Sequence, residues 1–151
     1  MPQSLACLYV HAVFSTNDRT PFLLDPSIRK KAFAELTGIS TRLECPVDAI
    51  GGVADHVHVL FRQSSKISIS DWIREVKKFS TPTIKALYAS LREFHWQGGY
   101  GAFSVDAARL DGVRAYIRGQ EEHHKTRSFK DEYIALLVEH NMAWDEKYVW
   151  D

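Results

Sequence analysis

Asp55-His56-Val57-His58-Val59-Leu60-Phe61 alternates in character with a period of two, the repeat of a β-strand whose successive side chains point to opposite faces. Val57, Val59 and Phe61 form an unbroken apolar stripe, so theirs is the core face. His56, His58 and Leu60 fall on the opposite sheet surface, where two imidazoles stand side by side within reach of one shared ion. The strand begins near Ala54. Just before it, Val47 to Ile50 followed by Gly51-Gly52 reads as another strand ending in a turn or bulge, a candidate hairpin partner.

Working outward, Leu5 to Phe14 repeats the alternation, with Leu8, Val10, Ala12 and Phe14 on one side and Tyr9, His11 and Val13 on the other. A polar connection, Ser15 to Thr20, follows. Asp25-Pro26 has the form of an N-cap with proline at the first helical position, and Ile28, Ala32, Phe33, Leu36, Ile39 and Leu43 then recur at helical spacing. Ser70-Asp71 is expected to cap a second helix carrying Trp72, Ile73, Val76 and Phe79, which Pro82 kinks or restarts. Aromatics mixed with Gly98, Gly99 and Gly101 between Phe94 and Val105 suit a bulged strand or a loop closely approached by a ligand. Asp111 is placed to cap a helix through His124, and Ser128 with Asp131 resembles a capping box for a last helix, Phe129 to His140. The order β, α, β, β, α, β, α, α describes an α+β domain spanning residues 1–151, with helices packed on one face of a mainly antiparallel sheet.

Composition narrows the function classes. The 151 residues are 45% apolar and 12% aromatic, with no apolar run long enough to span a bilayer or serve as a secretory segment, so a cytoplasmic protein is expected. Cys7 and Cys45 lack the close spacing of a thiolate metal site. Nineteen basic and nineteen acidic residues cancel, and any case for a polyanionic partner must rest on local distribution. From Arg62 to Arg92 seven basic residues face only Asp71 and Glu75, whereas the chain beyond Ser128 is predominantly acidic. The two readings of this bias are a cationic face for nucleic acid and ordinary solvated helix surfaces.

Tyr116 and Gln120 lie one helical turn apart and share a face. Beside the stripe of Leu110, Val113 and Ile117, Tyr116 is either a residue bordering the core or a nucleophile, because a phenol can attack phosphorus when a bound ion polarises the phosphate. Gln120 would add an amide oxygen to the two imidazoles. The histidine pair likewise has a structural reading beside its metal-binding one.

Three strings then belong together: Asp55-His56-Val57-His58-Val59-Leu60, Trp96-Gln97-Gly98-Gly99-Tyr100-Gly101-Ala102-Phe103-Ser104-Val105, and Tyr116-Ile117-Arg118-Gly119-Gln120-Glu121-Glu122-His123-His124-Lys125. With Val10-His11-Ala12-Val13-Phe14-Ser15-Thr16 and Asp145-Glu146-Lys147-Tyr148-Val149-Trp150, they resemble the single-tyrosine HUH transposases of bacterial insertion sequences, the IS200-like family, including repeat-associated tyrosine transposases. The resemblance runs almost end to end and departs at Ala54, where proline is common, and at Gly119, where a larger polar residue is frequent.

It implies a ferredoxin-like (RRM-like) sheet, Mg²⁺ or Mn²⁺ held by His56, His58 and Gln120, and Tyr116 attacking single-stranded DNA at hairpin-marked ends to leave a 5′-phosphotyrosine and a free 3′-hydroxyl. It further implies a homodimer in which the tyrosine helix, around 111–124, can complete the partner's site. Arg74, Lys77, Lys78 and Lys85 are the candidates for DNA backbone contact, with Trp72 or Tyr88 as stacking surfaces or core. Arg114 and Arg118 join the DNA-binding set and, with water or the ion's field, are candidates for easing deprotonation of Tyr116. His123 and His124, following Gln120 at the end of the same helix, are expected to be solvent-exposed, or near phosphate when protonated, and outside the metal set. The competing readings are a domesticated relative acting on extragenic hairpins, a non-catalytic nucleic-acid-binding module, and a nuclease that uses water in place of Tyr116.

Overall fold

A computed structural model describes residues 2–151. Its strands are β1 (Tyr9–Ser15), β2 (Val47–Gly52), β3 (His56–Arg62) and β4 (Gly101–Val105), joined in the order β2-β3-β1-β4 with antiparallel pairing throughout. Helix α1 (Pro26–Arg42) connects β1 to β2, and α2 (Ile69–Lys85) connects β3 to β4. This is the ferredoxin-like split βαβ arrangement that the family resemblance implied.

Local signals explain most boundaries. The Asp25 carboxylate accepts the Ser27 amide at 2.7 Å with Pro26 opening α1. The cap of α2 lies two residues earlier than the sequence reading placed it. Ser68, not Ser70, accepts the Asp71 amide, at 3.1 Å, and the helix runs on past Pro82 to Lys85. Ser128 caps the last helix, α5 (Phe129–Glu139), by accepting the Asp131 amide at 3.1 Å. The tyrosine helix is divided: α3 (Leu110–Arg118) ends at Gly119 and a single turn, α4 (Gln120–His123), follows. Asp111 sits in the first turn of α3 and does not cap it. The pairing of β2 with β3 is a hairpin as expected, but its irregularity falls between Val47 and Ala49, not at the glycines.

Val10, Ala12 and Phe14 of β1 and Val57, Val59 and Phe61 of β3 pack beneath α1 and α2. Trp72 is fully buried there, stacked on Phe61 at 3.9 Å between ring centres, its indole donating to Ser40 Oγ at 2.9 Å. It is a core anchor, unavailable to a nucleobase.

The opposite face is covered as well, which the sequence reading did not include. Phe129, Tyr133, Leu136 and Leu137 of α5 pack with Val13 and Phe103, while Ile117 of α3 packs with Ala49 and Leu60. Two glycines admit these helices. A Cβ on Gly51 would lie 2.1 Å from the Ile117 carbonyl oxygen, and one on Gly101 would lie 2.7 Å from Tyr133 Cε2. His56 and His58 are consequently fully buried instead of standing on an open sheet surface.

Candidate active site

The antiparallel register sets His58 between Val13 of β1 and Gly51 of β2, so a small neighbour on one side leaves room for α3 above it. Onto this patch α3 brings Tyr116, α4 brings Gln120, and α5 brings Glu132, an acid that sequence reasoning missed. Glu132 is 1% exposed. Its Oε1 lies 3.2 Å from His56 Nε2, 2.9 Å from His58 Nε2 and 3.1 Å from His124 Nε2. The Tyr116 hydroxyl donates to the other carboxylate oxygen, Oε2. Gln120 Oε1 stands 3.1 Å from His56 Nε2 and 3.0 Å from His124 Nε2.

A further layer orients the imidazoles. Nδ1 of His56 donates to Asp55 Oδ1 at 2.8 Å, which leaves Nε2 facing the cluster. His58 donates through Nε2 to Glu132, so its Nδ1 accepts from Nε2 of His11, 2.7 Å away on β1. A continuous chain therefore runs from His11 through His58 and Glu132 to the Tyr116 hydroxyl.

These contacts govern charge. Burial alone would lower the pKa of His56, but hydrogen bonds to Asp55 and Glu132 outweigh it and push the value up to about 9. Burial dominates at His58 and pulls it down to about 4. Burial and the neighbouring His58 likewise hold His11 well below the ordinary histidine value. Burial would raise Glu132, yet hydrogen bonds from His124, His56 and His58 hold it far below the usual carboxylate range. For Tyr116, burial and the Glu132 carboxylate both push the phenol upward.

His56, His58 and Glu132 offer one ligand atom each within 4.8 Å of one another and could hold a metal ion. The donor chemistry fits a divalent ion. Adjacent ligands in an octahedral shell with bonds of about 2.1 Å are about 3 Å apart, and the nitrogen–oxygen separations around Glu132 Oε1 run from 2.9 to 3.2 Å. Gln120 is beside this group. His124, expected to be exposed, instead turns inward with its side chain 8% exposed, one helical turn beyond Gln120 and on its face, its amide donating to the Gln120 carbonyl at 3.0 Å. His123 stays exposed, its ring 5.0 Å from that of Tyr116.

The basic candidates separate. Arg74, Lys78 and Lys85 are exposed on α2, across the sheet from Tyr116, with Arg74 paired to Asp71 at 2.8 Å. Lys77 is half-buried and donates to the Gln97 and Gly99 carbonyls at 2.8 and 2.7 Å; burial brings its pKa down to about 8. Arg114 is engaged by Asp48 and Asp111 at 2.8 and 2.6 Å. Arg118 is exposed near the end of α3, and Tyr88 is exposed with the Lys31 ammonium 5.5 Å from its ring centre.

Residues 4–120 match the family described as transposase IS200 like, and the chain belongs to that family. The match ends on Gln120, so Glu132 comes from the segment beyond it. The fold resembles a Deinococcus radiodurans R1 protein assigned as a transposase, at 20% identity and a TM-score of 0.64 over 78% of this chain and 95% of that one. It also resembles a REP-associated tyrosine transposase bound to a REP hairpin, at 15% identity and a TM-score of 0.55 over 78% and 70%. No curated protein matches the chain. Among the described residues no helix is long and apolar enough to cross a membrane.

Proposed function

We propose that this transposase cleaves and rejoins single-stranded DNA at hairpin-marked ends in the cytoplasm, with Tyr116 as nucleophile. The observation that carries the reading is the shared carboxylate: Glu132 receives the Tyr116 hydroxyl on one oxygen while the other lies among the imidazoles of His56, His58 and His124. His56, His58 and Gln120, with Glu132, would hold Mg²⁺ or Mn²⁺, and the mixed nitrogen and oxygen donors make Mn²⁺ at least as suitable as Mg²⁺. Such an ion would neutralise charge on the non-bridging phosphate oxygens.

In the cleavage step the Tyr116 oxygen forms a bond to phosphorus and the bond from phosphorus to the 3′ oxygen breaks. The phenol gives up a proton and the departing 3′ oxygen gains one. The products are a 5′-phosphotyrosine and a 3′-hydroxyl, and attack by a 3′-hydroxyl reverses the exchange without an external energy source. Glu132 positions the phenol, Asp55 and His11 fix the imidazole orientations, and α5 shields the group from water.

Because Tyr116 and the histidine pair meet within one chain, we propose that the tyrosine acts in cis, without needing a partner's helix. The hairpin held by the REP-associated neighbour supports a hairpin-bearing substrate, whether at the ends of a mobile element or in extragenic repeats. Tyr116→Phe removes one hydroxyl and should abolish cleavage with Mn²⁺ while leaving DNA binding nearly intact; cleavage retained by that variant would transfer the attack to water.

A further inference from the structure

A pocket of about 350 Å³ opens directly behind Tyr116, between β4, α3 and α5. That volume lies at the lower end of small-ligand sites, which run from roughly 300 to 1,000 Å³. Tyr116 forms one wall, together with His11, the histidine that donates to His58. Phe103, 3% exposed, lies against the half-buried His140 with their rings 4.5 Å apart and 30° from parallel, leaving His140 the more open of the two, and the His11 ring stands 6.1 Å from Phe103. Across the mouth Arg109 donates to Glu139 at 2.8 Å, both side chains about half exposed. Gly112 of α3 completes the wall, and a Cβ built there meets nothing within 4 Å.

Flat aromatic walls, a rim with one cation and one acceptor, and an opening that includes the proposed nucleophile suit a planar heterocycle tethered to an anionic backbone. We infer that this pocket receives one nucleobase of the DNA strand, that of a nucleotide next to the phosphate attacked by Tyr116. The inference rests on the single-strand reading above and deepens it. Bases stack on aromatic rings whatever their identity, and the rim is where identity can be read: the Glu139 carboxylate accepts from exocyclic amino groups, and the Arg109 guanidinium donates to ring or carbonyl acceptors. The base enters with its phosphate towards His58, so occupancy of the pocket sets the strand's register against the tyrosine. His11 and Tyr116 border this space, whereas His56, His58, Gln120, His124 and Glu132 do not, so it can be filled without touching the proposed metal ligands.

Gly112→Leu tests the inference by placing a branched apolar side chain at the pocket wall, from a position where a Cβ meets nothing within 4 Å, and in a helix it replaces the residue type least favourable there after proline. Fluorescence anisotropy would compare labelled dodecamers of dT, dA and dC with an abasic dodecamer of equal charge. The native chain should bind at least one base-bearing strand more tightly than the abasic one. Gly112→Leu should weaken that binding about 5- to 10-fold, the low end of one lost stacking contact, with abasic affinity unchanged and Tm no lower. Unchanged affinity for every strand, or an equal loss on the abasic one, would overturn the pocket while tyrosine adduct formation by the native chain kept the cleavage reading intact. A selective loss in Gly112→Leu with cleavage surviving in Tyr116→Phe would keep the pocket and sink the tyrosine mechanism. Failure of the native chain to bind any strand would overturn both.

Discussion

Replacing Glu132 with glutamine preserves the side chain's shape and removes the charge that three imidazole nitrogens share. We expect Mn²⁺ affinity, measured by calorimetry, to fall about 10- to 100-fold, the usual cost of losing a group that ligates or orients a metal centre. Unchanged affinity would take Glu132 out of the ligand set. The raised pKa of His56 gives the site a pH dependence of known sign. An ion must displace the proton on Nε2, so affinity should rise with pH and level off above about 9. In metal-free protein the same group stabilises the fold fully below its unfolded value of 6.5, and that contribution is lost as pH rises through about 9. Asp55→Asn, which weakens the hydrogen bond to Nδ1, should shrink this loss when Tm is followed from pH 6 to 10. An identical Tm profile would assign the elevation of His56 elsewhere.

At the scale of elements, Gly51 and Gly38 make a controlled pair. A side chain on Gly51 would collide with the α3 backbone at Ile117, so Gly51→Ala should cost about 1–3 kcal/mol, as overpacking does, and displace Tyr116 and Gln120 together. Gly38 lies within α1, where a Cβ approaches only the flexible Arg42 side chain at 3.6 Å, and alanine there should stabilise by about 0.5–1 kcal/mol. Equal Tm shifts for the two would mean that α3 does not rest on β2 as described.

Strand and helix periods put His56 with His58 and Tyr116 with Gln120, but it was the family resemblance that joined the two pairs into one site. Glu132 was not legible. A helical glutamate ordinarily faces solvent, and its partner His58 is 74 residues away in sequence. The available signal was its spacing: Phe129, Glu132, Tyr133 and Leu136 share one helical stripe, and all four are buried. His124 was misplaced because a histidine at the end of a helix ordinarily meets solvent, although its four-residue step from Gln120 puts it on the same face, and the covering of the histidine face was missed because an amphipathic pattern says that a face is buried without saying against what.

For the whole molecule, the account requires one chain to contain a complete site. Mixing Tyr116→Phe with His56→Ala should therefore give no more cleavage than either variant alone. Recovery of activity in the mixture would show that tyrosine and histidines come from different subunits.

The most direct measurement incubates the protein with Mn²⁺ and labelled single-stranded DNA from the regions flanking its own gene, and maps any denaturation-resistant adduct by peptide mass. The account predicts DNA linked through a 5′-phosphate to Tyr116, absent when a chelator is present. Cleaved DNA without an adduct, or an adduct on another residue, would contradict it.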